Sequence, residues 1–334
     1  MARLIFSVGI IAAQISSMGR IISPMLSTSF FAAVLLGGGV LIIYTFFGGI
    51  RAVVMTDILQ FIVMVFFIPV VVGYIIFVQV GWEPFLSALS AAAIPDLSSM
   101  SREAVASAFV GFALGDALIP PVIQRLLMCK NVKQTQHMMM GGAFFSFIFI
   151  FLAAFLGIAA SQLVSDPSIP FVTKTLQMLP SGWQPIWAIA LMAVVLSSAD
   201  TYLNSSSISL TEDLLPISEN RKLRTAQIAT LCLGIMAIII SLYVPSVYDM
   251  LLFTYKFWGP LILIPLLGIL FNKTITKTQL MTVFALSGTI VLIWHFFDLE
   301  TITGYSDLIP GFLISFLSYF VAFTIKTSEQ AIAR

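Results

Sequence analysis

Two carboxylates of this chain, Asp116 and Asp200, lie deep inside long apolar stretches. An ionisable group at the centre of a membrane-crossing helix costs about 2.5–3.5 kcal/mol on insertion scales, and it marks a functional position by default. Arg20, Asp57 and Lys256 also fall within or at the edge of apolar runs. The competing reading for each is a buried structural pair, or a side chain snorkelling to the interface. That reading suits Arg20 and Lys256 better than the two deep carboxylates, which have other unusual residues beside them.

Around Asp200 the chain reads Val194-Val195-Leu196-Ser197-Ser198-Ala199-Asp200-Thr201-Tyr202-Leu203-Asn204-Ser205-Ser206-Ser207. At 100° per residue, Ser197, Asp200, Thr201 and Asn204 share one helix face. Such a strip of oxygen atoms is the ligand type a hard cation needs. Small residues that allow close helix packing, with hydroxyls bonded one turn back, account for Ser205 to Ser207. They account poorly for Asp200.

Asp116 sits in a stretch with Gly111, Gly115, Pro120 and Pro121. Proline removes an amide donor and breaks the helical ladder, which frees carbonyls to face a cavity. Broken helices at mid-membrane depth are where secondary transporters bind substrates and ions. A structural kink is the alternative. Between two further apolar runs, Gly48-Gly49 permits a tight turn, and Thr56 or Asp57 is placed to cap the helix that follows.

These residues must be positioned by membrane helices. Apolar residues make up 59% of the 334-residue chain and charged residues only 9%, against roughly 25% in a soluble domain. A span needs about 20 apolar residues. Ten stretches qualify: Leu4–Leu26, Phe30–Phe47, Ala52–Val80, Glu103–Met128, Gln136–Ala160, Pro185–Leu214, Thr225–Val244, Val247–Phe271, Thr278–Phe297 and Leu308–Ile325. Their runs are continuous and do not alternate, so helices are expected and not barrel strands. With both termini cytoplasmic, Arg51, Arg125, Lys130, Lys133, Arg221, Lys222 and Arg224 fall inside. The outer connections carry Glu83, Asp96, Asp166, Asp298, Glu300 and Asp307, the asymmetry the positive-inside rule predicts. Pro170–Met178, in one outer connection, suits a short interfacial helix.

The net charge of +1 gives no basic surface for nucleic acid. Cys129 and Cys232 form neither a disulfide framework nor a metal pattern. No nucleophile–base pair, phosphate loop or metal cluster is visible, and His137 and His295 fall on opposite sides of the membrane. An enzyme is therefore not expected.

Taken together, the stretches Tyr44–Gln60, Ser197–Asp213 and Pro120–Lys130 resemble the sodium:solute symporter family, which includes sodium/proline, pantothenate and sugar symporters. Gly48-Gly49, Ala52-Val53, Thr56-Asp57 and Gln60 resemble its signature, and Thr211-Glu212-Asp213 the inner exit of its ion-binding helix. The resemblance implies an all-α, LeuT-like inverted-repeat fold in a single transmembrane domain over residues 1–334. It implies sodium as the coupling ion, with Ser197 and Ser198 as ligands and Asp57 and Asp200 along the ion pathway. Phe112, Asp116 and Pro120 then fall on the broken helix lining the substrate cavity. Asp116 stands where proline-transporting members tend to carry an aromatic residue, which disfavours proline and favours a cationic solute.

Against complete members of the family, the chain is expected to lack its first core helices. A separate polypeptide supplying them is the partner this implies, besides the solute and the lipid bilayer. The expected function is sodium-coupled symport of a small polar organic solute by alternating access, in a bacterial inner membrane. The alternatives are a membrane sensor module or an inactive remnant.

Overall fold

Apolar runs in a bilayer leave the backbone no water to bond, so they close their hydrogen bonds internally as helices. The computed structural model describes residues 2–92, 109, 119–163, 171–214, 218–243, 246–273 and 275–332, and these are helical with short connections. In chain order they are α1 (Ala2–Met25), α2 (Phe30–Tyr74), α3 (Trp82–Ala92), α4 (Pro120–Leu127), α5 (Val132–Leu163), α6 (Phe171–Gln177), α7 (Gln184–Ser209), α8 (Glu219–Tyr243), α9 (Val247–Leu270), α10 (Lys277–Phe296), α11 (Leu299–Thr303) and α12 (Leu308–Ile332). Both α2 and α7 run on into widened π turns, at Ile75–Val80 and Leu210–Leu214.

Eight segments among the described residues are long and apolar enough to cross a membrane. The difference from the ten expected has two sources. The second and third expected spans lie in one 51-residue segment, Phe30–Val80. Kept straight, it would run about 1.5 Å per residue, more than twice the roughly 30 Å hydrocarbon core. It bends instead at Gly49, whose φ of 52° and ψ of −152° are non-helical and suit a residue without Cβ. The fourth expected span, Glu103–Met128, lies largely outside the described residues, as do Phe112 and Asp116.

The bend corrects one expectation. The helix resumes at Ile50, so Thr56 and Asp57 lie in its second turn and do not cap it. Thr56 instead donates back to the carbonyls of Ala52 (2.9 Å) and Val53 (3.0 Å). The short helix expected near Pro170–Met178 is α6.

The chain divides into two compact units. The larger comprises residues 10–96 and 120–247. Small residues let its helices approach closely. A Cβ on Gly37 would come within 2.9 Å of Met18 on α1, one on Gly38 within 2.7 Å of Ile238 on α8, and one on Gly234 would collide with Ile42. Large apolar side chains face outward, among them Phe66 on α2 and Phe144, Phe147 and Ile150 on α5. That is the arrangement lipid demands and water forbids.

The smaller unit comprises residues 1–9, 97–119 and 248–334. Phe257, Leu261 and Val291 form its core, with Phe284 and Leu292 packed against them. Phe6 stacks on Trp258 with ring centroids 4.7 Å apart. A capping box between Thr276 and Gln279 starts α10. Lys256 on α9 is buried, with Glu300 at 3.0 Å and Asp307 at 3.2 Å. Of its two sequence readings, the paired one is what the structure contains. Arg20, in the larger unit, lies over the Phe30 ring at 5.7 Å.

Candidate functional site

The polar stretch of α7 keeps its helical period, so the side chains at 200, 201 and 204 project toward neighbouring helices and not lipid. Asp200 is fully buried, and Thr201 and Asn204 are buried beside it. The two limbs of α2 meet Asp200 from either side of the Gly49 bend. Tyr44, before the bend, donates its hydroxyl to Asp200 Oδ2 at 2.6 Å. Thr56, after it, reaches the same oxygen at 3.4 Å. Asp200 Oδ1 is buried and has no hydrogen-bond partner among the described residues.

At the residue next to Tyr44's partner on α7, a second polar contact forms. Arg125, near the end of α4, places Nη2 2.6 Å from Asp57 Oδ2 and 3.0 Å from Thr201 Oγ1. It thereby ties α4 to both α2 and α7. Its side chain is half exposed, whereas that of Asp57 is 21% exposed. Pro120 and Pro121, both buried, begin α4, where a proline's missing amide costs nothing. A cavity of about 230 Å³ opens beside this contact, lined by Ile50, Val53, Val54, Gln124, Arg125, Met128, Thr201 and Asn204.

A buried carboxylate must be neutralised or hydrogen-bonded. At Asp200 the Tyr44 hydroxyl serves one oxygen and, among the described residues, nothing bonds the other, while the nearby guanidinium is spent on Asp57. The cluster therefore holds two carboxylates, one cation and a set of hydroxyl oxygens. Chemically that is a cluster of oxygen atoms of the donor type a small hard cation takes, and the cavity beside it is lined by neither carboxylate.

Among the residues singled out from sequence, Asp57, Asp200 and Pro120 belong to elements that meet here. Ser197 and Ser198 are half buried on α7, about one turn before Asp200. A larger cavity of about 470 Å³ lies elsewhere in the same unit, among α1, α2 and α7, and is apolar apart from Gln60. It holds none of these carboxylates. Tyr44 and Arg125 were legible only as pieces of motifs, since nothing local marks them as partners of carboxylates far along the chain.

The fold and site define a polytopic helical membrane protein with polar chemistry buried between its helices. Its fold is that of a sodium-coupled sialic acid symporter solved in a substrate-bound, outward-open state, a structure described as revealing a novel Na⁺ site. The two match with a TM-score of 0.72 over 97% of this chain and 72% of that one, at 20% sequence identity. This is the LeuT-like architecture expected above. The sodium:solute symporter family model matches residues 1–290, and the chain belongs to that family.

Curated relatives include the osmoregulated proline transporter OpuE of Bacillus subtilis, 23% identical over 90% of this chain and 64% of its own length. The high-affinity proline transporter PutP of the same organism is 24% identical, over 98% of this chain and 73% of its own. The sodium/pantothenate symporter of Haemophilus influenzae is 30% identical over 58% of this chain and 42% of its own. The chain thus spans under two thirds of the length of the first and third of these relatives. Family and relatives are transporters, in agreement with the expectation that the chain is not an enzyme.

Proposed function

We propose that the chain performs sodium-coupled symport of a small polar organic solute, by alternating access of a mid-membrane site. The observation that carries this reading is Asp200, a fully buried carboxylate with one oxygen that has no partner among the described residues, on a helix whose neighbouring turn presents Ser197 and Ser198. In this reading the two serine hydroxyls hold sodium, and Asp57 and Asp200 line its path. The donor set is all oxygen, which fits a hard cation. Phe112, Asp116 and Pro120 belong to the solute cavity, and the Asp116 carboxylate favours a solute bearing positive charge.

Coupling follows from differential binding. A cation that stabilises one state of the site shifts the equilibrium between inward- and outward-facing forms only by its difference in affinity for the two. Sodium moving down its gradient then carries the solute with it. The membrane is proposed to be a bacterial inner membrane with both termini in the cytoplasm, on the strength of the basic inner connections.

The test is sodium-gradient-driven uptake into lipid vesicles, screening proline, pantothenate, monocarboxylates, sugars and choline-like cations. The chain is reconstituted alone and with co-expressed N-terminal helices of a longer relative, which also tests whether a separate polypeptide completes the site. Uptake that needs both the gradient and the Ser197–Ser198 pair supports the reading. Silence in every arm withdraws it.

A further inference from the structure

We propose that Arg125 is a positioning residue whose guanidinium acts as a tethered competitor for the coupling cation at Asp57, so that cation arrival and release of α4 from α2 and α7 are one event. The proposal rests on the symport reading above and adds a residue to it.

The geometry is specific. One nitrogen, Nη2, sits between a carboxylate oxygen of Asp57 at 2.6 Å and a hydroxyl oxygen of Thr201 at 3.0 Å. A carboxylate and a hydroxyl held on two helices are ligands of the kind a hard cation takes from oxygen donors. The guanidinium therefore occupies space that a metal cation and its waters would otherwise contest. The contact also ties down α4, an eight-residue helix that buried Pro120 and Pro121 hold at its other end. Arg125 is thus a fastening for the free end of that helix.

Charge makes the fastening releasable. Asp57 and Asp200 are two carboxylates, and Arg125 is the one cation bonded within the cluster among the described residues. A second positive charge arriving by the adjacent cavity finds a net negative site. The 230 Å³ cavity has room for several waters, and so for a partly hydrated ion. Arg125 itself is half exposed, so its guanidinium has room to turn away from Asp57. A fully buried pair could not exchange in this way, because its separated charges would be left without solvent.

A native thiol reports on this helix end. Cys129 lies one turn beyond Arg125, with its Sγ 3.5 Å from the Arg125 carbonyl and 3.9 Å from Met138 Sδ. The other cysteine, Cys232, is exposed on α8 and is replaced by serine to leave a single reporter. The full chain is reconstituted in phosphatidylethanolamine–phosphatidylglycerol vesicles. Cys129 alkylation by N-ethylmaleimide is then timed while sodium replaces N-methylglucamine at constant ionic strength. Sodium is the probe, so no solute needs to be known.

The expected result is a labelling rate that rises at least about threefold with sodium in the Cys232→Ser chain. Arg125→Met should label at the fast rate without sodium and show no further response. Arg125→Lys, which keeps the charge but loses the planar fork, should keep the response with a lower half-saturating sodium concentration. A flat sodium titration at native Arg125 overturns the proposal, and that arm needs no variant at 125 to fold. So does an Arg125→Met chain with an undiminished sodium response. Sodium-driven uptake alongside a flat titration would remove the competitor role and leave symport standing. A sodium-dependent rise with no uptake of any solute would support the competitor role and remove symport.

Discussion

The Tyr44 hydroxyl donates to Asp200 Oδ2 at 2.6 Å, joining the first limb of α2 to the centre of α7 across 156 positions of sequence. It is the short contact of a buried carboxylate whose other oxygen has no bond among the described residues. A hydrogen bond to a charged group contributes about 1.5–3 kcal/mol, and removing it from a buried partner also exposes the desolvation cost of what remains. Tyr44→Phe keeps the ring and removes only the donor. It should lower the unfolding temperature of the detergent-solubilised chain and weaken sodium dependence of uptake. An unchanged unfolding temperature would show that the bond contributes nothing net.

Asp200→Asn tests whether the carboxylate is needed for its charge or for its shape. Asparagine is nearly isosteric and can still accept from Tyr44 through its carbonyl oxygen. The expected outcome is a fold close to native by circular dichroism, with a half-saturating sodium concentration raised at least about tenfold. Retention of native sodium dependence would remove Asp200 from the ion pathway.

Much of this site is legible in the amino-acid sequence. Asp200 stood out because a carboxylate in an apolar span has no bland explanation, and the helical period already placed Thr201 and Asn204 beside it. Gly49 announced a reversal of direction. The partners were another matter. Tyr44 is an unremarked aromatic at the end of one span, and Arg125 reads as one more inner positive charge in an orientation count. Side-chain pairing across more than sixty positions leaves no local trace, because it is set by which helices the tertiary fold brings together. The same reason misdirected the capping assignment of Thr56 and Asp57: the helix resumes seven residues before Asp57, and the pull that fixes Asp57 comes from Arg125 on α4.

Ser197→Ala combined with Ser198→Ala should leave Tyr44–Asp200 and Asp57–Arg125 intact, since neither serine takes part in those bonds. Loss of two hydroxyl ligands is expected to reduce sodium-driven uptake by at least about tenfold, with little change in unfolding temperature. Ser197→Thr with Ser198 native keeps both hydroxyls and should retain most of the activity, whereas either single alanine variant keeps one and should fall between. If the double alanine chain transports with native sodium dependence, the sodium ligands lie elsewhere.

Lys256 offers a test of the smaller unit that the ion chemistry should not confound. Its side chain is 8% exposed and that of Asp307 2%, whereas Glu300 is 40% exposed and can turn to water. Removing one partner of a buried pair costs about 3–5 kcal/mol, chiefly because the other charge is left without compensation. Lys256→Met should therefore destabilise the chain strongly through Asp307, and much less through Glu300. Adding Asp307→Asn to Lys256→Met removes the stranded charge and should recover most of the lost unfolding temperature, while adding Glu300→Gln should recover little. A double-mutant cycle in which Glu300→Gln rescues as well as Asp307→Asn would mean that the exposed partner carries the energy, contrary to the burial of the two carboxylates.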